Sequence, residues 1–199
     1  MTILPSVYLG SVEYFARLLR DECCIDLGEH FIKRSERNRA HIMTANGVLP
    51  LTVHLCNANR PQTPVRDVRI DYSKRWQHVH RTAIESAYRS SPYFDHYAPS
   101  LIPFYEKRFD FLADYNTELT ALLLRLARID RPLNISDSYV SASADDTDLR
   151  PKKRESSFVC PPYYQLFGDR FAFEAGLSFI DLLFAEGPSS VSVLRDCLL

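Results

Sequence analysis

Apolar and polar residues at the start of the chain follow a pattern that predicts a strand, a helix and a second strand. Ile3–Val7 and Cys23–Leu27 are short apolar runs with the length of buried strands. Between them, Ser11–Arg20 spaces its apolar side chains as an amphipathic helix does, directly after Gly10. This order is typical of a βαβ unit, in which a right-handed crossover joins two parallel strands.

A β-hairpin is predicted next, because Asn46-Gly47 separates two apolar segments of strand-like composition. The dipeptide is typical of a type I′ turn, in which both central residues have positive φ. We therefore expect antiparallel strands near residues 40–44 and 49–55, with Asn46-Gly47 as the turn between them.

The rest of the chain is predicted to be mainly helical. Alternating runs predict short strands over 65–72 and 133–139, and apolar residues at helical spacing predict helices over 74–89, 93–108, 111–129 and 176–186. The predicted fold class is therefore α/β. It has a central mixed sheet that begins with the βαβ unit, a β-hairpin insertion, and a helical middle and C-terminal region.

One polar stretch interrupts this pattern. Residues 141–162 contain three acids followed by four bases, and they end in Pro161-Pro162. We expect a mobile surface loop within a single domain that spans residues 1–199, because too little chain follows it to form a second core. Long loops inside compact domains are often lids.

Composition narrows the class of protein. Hydrophobic residues make up 46% of the chain, and the formal net charge is -1. A charge so close to zero gives no general attraction to nucleic acid or to acidic membranes, and no apolar run is long enough to span a membrane. The five cysteines lack the spacing of a zinc site. We expect a cytoplasmic protein with reduced thiols, no metal, no cofactor and no nucleic-acid partner.

The densest charge lies in Phe31–Gly47, directly before and within the predicted hairpin. Arginines that a hairpin holds in place suit bidentate recognition of phosphate or carboxylate. The candidate substrate-binding residues of this segment are Lys33, Arg37, Asn38 and Arg39. Two alternatives stay open: a solvated charged surface, or ion pairs with the acids Asp26, Glu29 and Asp148.

Tyr8 and Gly10 are further candidates for substrate binding. Both follow the first predicted strand, and ligands of parallel sheets bind at the carboxyl ends of the strands.

Two side chains are candidates for catalysis. His80 lies in the predicted helix 74–89, and the ordinary pKa of histidine suits a general base. Asp181 lies among apolar residues, where a carboxylate must be paired or neutral. We expect an arginine of the basic segment as its partner, with a direct role as catalytic acid as the alternative.

The remaining candidates for substrate binding come from the helices and from the polar stretch. The aromatic residues could stack on a sugar ring or a nucleobase, or they could belong to the core. These candidates are Arg81, Tyr88, Tyr93, Asp148, Arg150, Tyr164 and Gln165.

Several unusual strings occur in a fixed order along nearly the whole chain, among them LPSVYLGSVEYFARLL, FIKRSERNR, TANG, IDYSKRW, SAYRSSPYFDHY, FLADYNTELT, YYQLF and LSFIDLLFAEGP. In these strings the chain resembles the WbqC-like protein family of bacteria. The isolated string DLR at 148–150 belongs to the same resemblance. The resemblance to this family implies a link to surface-polysaccharide and O-antigen biosynthesis and, for some members, a transfer reaction on an amino-sugar nucleotide. It carries no established catalytic residue to this chain.

Residues and resemblance together lead us to expect a cytoplasmic transferase of polysaccharide precursor biosynthesis. It would move an acyl or aminoacyl group to a nucleotide-linked amino sugar, with the arginines holding this small anionic ligand. The alternative is a non-catalytic sugar-nucleotide-binding or assembly protein. A cleft that holds His80 or Asp181 beside the arginines favours the enzyme, whereas arginines on an open convex surface favour the binding protein.

Overall fold

A parallel sheet is built around the first strand of the chain. The computed structural model describes residues 1–56, 62–152 and 157–199. Its four-stranded sheet has the order β5-β2-β1-β6, and every neighbouring pair is parallel. The strands are β1 (Thr2–Pro5), β2 (Cys23–Asp26), β5 (Ile135–Ser136) and β6 (Thr147–Asp148), and a separate two-stranded sheet contains β3 (Arg39–Thr44) and β4 (Gly47–Thr52).

Helices surround these strands. The predicted α/β fold class is confirmed, and so is the βαβ unit, because β1 and β2 pair in parallel on either side of the first helix. The helices are α1 (Val12–Arg20), α2 (Trp76–Tyr88), α3 (Phe94–Leu101), α4 (Leu112–Leu126), α5 (Phe179–Glu186) and α6 (Ser190–Asp196), with 3-10 turns at Val65–Asp67, Ile102–Glu106 and Gly187–Ser189. None of the helices in the described ranges is long and apolar enough to cross a membrane.

Local sequence explains where α1 begins and ends. The Ser11 side chain caps the helix by accepting a hydrogen bond from the Tyr14 backbone N–H. Glu13 lies in the first turn and Arg17 and Arg20 lie in the last, which complements the helix dipole. Its apolar face is buried against the core. The start of the helix thereby fixes the backbone at Gly10, in the loop that follows β1.

The predicted hairpin is confirmed, but its turn differs from the prediction. Thr44 pairs with Gly47, so the loop residues are Ala45 and Asn46. Gly47 has a φ of +97°, whereas Asn46 is not among the residues with positive φ, so the predicted type I′ turn at Asn46-Gly47 is wrong. The Thr44 hydroxyl group accepts a hydrogen bond from Asn46 N and donates one to Gly47 O. These bonds stabilise the alternative turn.

Two further predictions change at the level of single elements. Residues 65–67 form a 3-10 turn rather than the start of a strand, and only single bridges at Arg69 and Ile70 continue from it. Within the predicted mobile loop 141–162, β6 pairs with β1 and Arg150 is buried. The mobility of this loop stays a prediction, and residues 153–156 lie outside the described ranges.

Candidate functional site

A cleft of about 290 Å³ lies between the segment before β3 and the segment after β6. We call it the cationic cleft. Pro5, Ser35, Glu36, Leu149 and Pro151 complete its walls, and its basic side chains are Arg34, Arg37, Arg39, His41, Arg150 and Lys152. It lies at the carboxyl end of β1, where the parallel sheet predicts a ligand site.

Alternation along β3 brings two of these side chains to one wall. Arg39 and His41 are two residues apart in this strand, and side chains of an extended chain point to the same face at that spacing. An extended chain before the hairpin would also put Arg37 on this face, but residues 36–38 form a turn, so the position of Arg37 depends on its own contacts. The sequence reasoning missed His41, although a period of two along β3 identifies it beside Arg39.

Arg37 is a buried structural residue. Its Nε donates to Glu29 Oε1 at 2.8 Å, and its Nη2 donates to Glu29 Oε2 and to the Arg150 carbonyl. Its Nη1 donates to the Ser35 hydroxyl at 3.3 Å. Burial raises the pKa of Glu29, and the bonded guanidinium of Arg37 opposes that rise. Arg37 thus joins the sheet edge to the opposite wall of the cleft.

Arg150 repeats this arrangement from the other wall. Its guanidinium donates to both oxygens of Asp148, to Asp26 Oδ2 and to the Val140 carbonyl. The hydrogen-bonded Arg150 lowers the pKa of Asp148. Asp148 and Arg150, which were candidates for ligand contact, therefore pair with each other and with Asp26 at the end of β2.

Arg34 and Arg39 keep charge available for a ligand. Arg39 is half-buried, and its Nε donates to the Thr52 hydroxyl at 3.0 Å. Arg34 is exposed and has a φ of +53°. Within residues 1–56, 62–152 and 157–199, neither guanidinium forms an ion pair with a carboxylate. Lys152 Nζ, also in the cleft, donates to the Lys33 carbonyl at 3.4 Å.

Lys33 and Asn38 take other positions. Lys33 is exposed and its side chain does not line the cleft. Asn38 is buried, and its Nδ2 donates to the Val53 carbonyl at 3.0 Å, which attaches the basic segment to the end of β4.

His41 is the cleft residue with the chemistry of a general base. It is half-buried, and burial followed by the charge of Arg39 lowers its pKa below 6.5. Its imidazole is therefore neutral at neutral pH and can accept a proton. The positive side chains beside it also make the cleft suitable for an anion.

A smaller pocket adjoins the cleft and shares Glu36, Arg39 and His41 with it. Tyr8 and Gly10 line this pocket, as the position after β1 predicted. A Cβ atom on Gly10 would lie 2.8 Å from Tyr14 Cδ1, so this close packing requires glycine.

His80 lies inside a buried hydrogen-bond chain. Tyr8 Oη is 2.8 Å from His80 Nδ1 and 2.9 Å from Tyr105 Oη. Burial lowers the pKa of His80 to about 4. His80 lines neither the cationic cleft nor the smaller pocket beside it.

Asp181 lies in a second buried polar cluster. Tyr163 Oη donates to Asp181 Oδ2 at 2.8 Å, and Gln165 Nε2 donates to the same oxygen at 3.3 Å. Burial raises the pKa of Asp181 to about 6, and the side chains of Tyr163, Tyr88 and Gln165 oppose that rise. The prediction that an arginine of the basic segment pairs with Asp181 is wrong, because tyrosine hydroxyls and an amide surround this carboxylate. The cluster binds α5 to α2 and to the segment after the polar stretch.

The other candidates do not meet at the cationic cleft. Arg81 forms ion pairs with Glu85 and Glu106. Tyr93 packs over Gly187, and a Cβ atom added to Gly187 would lie 2.5 Å from Tyr93 Cδ1. Tyr164 is exposed and donates its backbone N–H to Glu186. In the described ranges, no group of three or more His, Cys, Asp or Glu residues could hold a metal ion.

The geometry defines an α/β protein with a cationic cleft at the carboxyl end of a parallel sheet. The model of the WbqC-like protein family matches residues 6–156, and the chain belongs to that family. The chain is also similar to the uncharacterized protein Rv1507c of Mycobacterium tuberculosis, with 26% identity over 99% of this chain and 98% of the relative. No solved structure gives a significant match.

Proposed function

We propose that the protein is a cytoplasmic transferase of surface-polysaccharide precursor biosynthesis, which moves an acyl or aminoacyl group to a nucleotide-linked amino sugar. Family membership supports the pathway class. The observation that carries the reaction class is one cleft that combines two arginines free of carboxylate partners in the described ranges with a neutral histidine.

The cleft residues have different roles in the proposed reaction, and their charges determine these roles. Arg34, Arg39 and Lys152 hold the diphosphate of the sugar nucleotide, because guanidinium and ammonium groups form charge-assisted hydrogen bonds with phosphate oxygens. The sugar nitrogen attacks the carbonyl carbon of the donor, and the bond from that carbon to the carrier group of the donor breaks as the carrier leaves with the electron pair. His41 takes the proton that the amine loses in this step. Arg37 and Arg150 hold the two walls at a fixed separation, and the buried pairs of His80 and Asp181 stabilise the surrounding fold.

The test combines ligand binding with turnover. We expect a nucleotide-linked amino sugar to raise the melting temperature of the protein, since a ligand that binds only the folded state stabilises it by mass action. Mass spectrometry with acyl-CoA or aminoacyl donors should detect the acylated sugar. His41→Gln should retain binding and lose turnover by roughly a factor of 10²–10⁴, the usual contribution of a general base.

A non-catalytic sugar-nucleotide-binding protein is the second candidate. The burial of His80 and Asp181 outside the cleft favours it, because neither can reach a ligand there. This candidate predicts the same thermal shift and no product with any donor. His41→Gln could then change only ligand binding, since there is no turnover to lose. Loss of the shift in Arg39→Ala together with its retention in the surface variant Arg89→Ala is common to both candidates. Turnover separates them.

A further inference from the structure

A second basic cavity lies at the start of α2, away from the cationic cleft. It has a volume of about 270 Å³ and shares no lining residue with the cleft. We call it the α2 cavity. The residues that matter for its chemistry are Tyr72, Lys74, Arg75, Arg81, Glu106 and Arg108.

The charges that line the α2 cavity do not cancel. Arg81 Nη1 donates to Glu106 Oε1 at 2.9 Å, so these two side chains compensate each other. Within the described ranges, Lys74, Arg75 and Arg108 form no ion pair. The charge of Lys74 acts on the nearby Asp71 and helps to lower its pKa, but the Asp71 carboxylate accepts its hydrogen bonds from the backbone N–H and hydroxyl of Ser73. An excess of positive charge therefore faces the cavity.

Arg108 is held in place without a carboxylate. Its guanidinium carbon lies 5.2 Å from the centre of the Tyr72 ring, a cation–π distance. The ring itself is fixed, because the Tyr72 hydroxyl donates to the Phe109 carbonyl at 3.1 Å and accepts from the Phe109 N–H at 2.9 Å. A guanidinium that is positioned on an aromatic face keeps its N–H groups available for a ligand.

We propose that the α2 cavity is a second anion site, which binds the phosphate or diphosphate group of a ligand distinct from the one in the cationic cleft. Three uncompensated cations suit a diphosphate better than a single carboxylate, because a diphosphate offers several negative oxygens to them. The group comes either from free pyrophosphate or from a nucleoside diphosphate. This inference does not depend on the transferase proposal, since it concerns other residues.

A built-in reporter makes the test specific. Trp76 is the single tryptophan of the chain, and it directly follows Lys74 and Arg75. Its buried indole N–H donates to the Asp71 carbonyl at 3.1 Å. Pyrophosphate is titrated into the full chain while Trp76 fluorescence is recorded, with sodium chloride at matched ionic strength as the reference for screening.

We expect a saturable change of Trp76 fluorescence with pyrophosphate and none with sodium chloride. Arg75→Ala and Arg108→Ala should each weaken the apparent affinity by at least about tenfold, the loss of one charge-assisted bond. Arg89→Ala, which removes an exposed charge at the other end of α2, and Arg39→Ala in the cleft should leave it unchanged. Tighter binding of a nucleoside diphosphate supports the site and identifies a nucleotide ligand, whereas equal binding supports the site and identifies the diphosphate itself.

The proposal is overturned if pyrophosphate gives no saturable signal, or if Arg39→Ala removes the signal while Arg75→Ala and Arg108→Ala do not. Either result leaves the transferase proposal untouched, because that proposal is tested by amino-sugar binding and turnover.

Discussion

Arg37 and Glu29 form a bidentate ion pair inside the protein, with side chains that are only 2% and 5% exposed. Removing one member of a buried pair leaves an uncompensated charge. We therefore expect Arg37→Ala to lower the free energy of unfolding by about 3–5 kcal/mol, as measured by urea denaturation at neutral pH.

The matched control is the double variant Arg37→Met with Glu29→Leu. It removes both charges, so it should recover much of the stability that Arg37→Ala loses. A single variant that unfolds at the same urea concentration as the parent would show that Glu29 is not held as a charged group.

Arg39→Lys should change binding rather than stability. Lysine preserves the positive charge but cannot offer two parallel N–H groups to a phosphate. We expect an affinity loss for a sugar nucleotide on the order of tenfold, measured by calorimetric titration, and an unchanged melting temperature. Arg37→Lys is the comparison, since its main effect should be a lower melting temperature of the protein. Equal behaviour of the two variants contradicts the different roles assigned to Arg37 and Arg39.

The buried carboxylate of Asp181 should make stability fall as pH rises. Its pKa is about 6 in the folded protein against 3.8 ordinarily, so the folded state binds more protons between these values. Its contribution is fully present below pH 3.8 and is lost as pH rises through 6. The total change is roughly 3 kcal/mol. Unfolding curves from pH 4 to 7 should show Asp181→Asn gaining stability relative to the parent by that amount.

The buried imidazole of His80 should make stability fall as pH falls, which is the opposite of the effect of Asp181. Its pKa is about 4 in the folded protein against 6.5 ordinarily, so the unfolded state binds more protons between these values. Its contribution is present above pH 6.5 and is lost as pH falls through 4. We expect His80→Gln to gain stability relative to the parent by roughly 3 kcal/mol on acidification. A difference that is independent of pH would show that His80 is accessible to water in the folded state.

Local patterns in the sequence determine much of this fold and only part of the site. The period of two that predicts the hairpin also places Arg39 and His41 on one wall of the cleft, whereas Arg37 lies in the turn before β3. The pairing of Arg37 with Glu29 was an open alternative, because a loop charge can pair with several acids at similar energy.

The surroundings of Asp181 could not be predicted in the same way. Its partners Tyr88 and Tyr163 come from distant segments, and tyrosine in a helix pattern indicates core packing rather than a polar contact. The strand prediction for residues 65–67 was wrong for a related reason. Their alternation is strand-like, but the Val65 and Arg66 backbone N–H groups donate to the carbonyls of Glu29 and Leu27 in a turn.

The position of β1 between β2 and β6 has a consequence for the order of events during synthesis. β2 leaves the ribosome soon after β1 and can pair with it at once, whereas β6 begins only at Thr147. Until then one edge of β1 is open, and Arg37 lacks the Arg150 carbonyl that receives its Nη2. Long-range parallel pairing is slow, and unpaired strand edges aggregate. A nascent chain that stalls before residue 147 therefore exposes an open sheet edge and lacks one wall of the cleft.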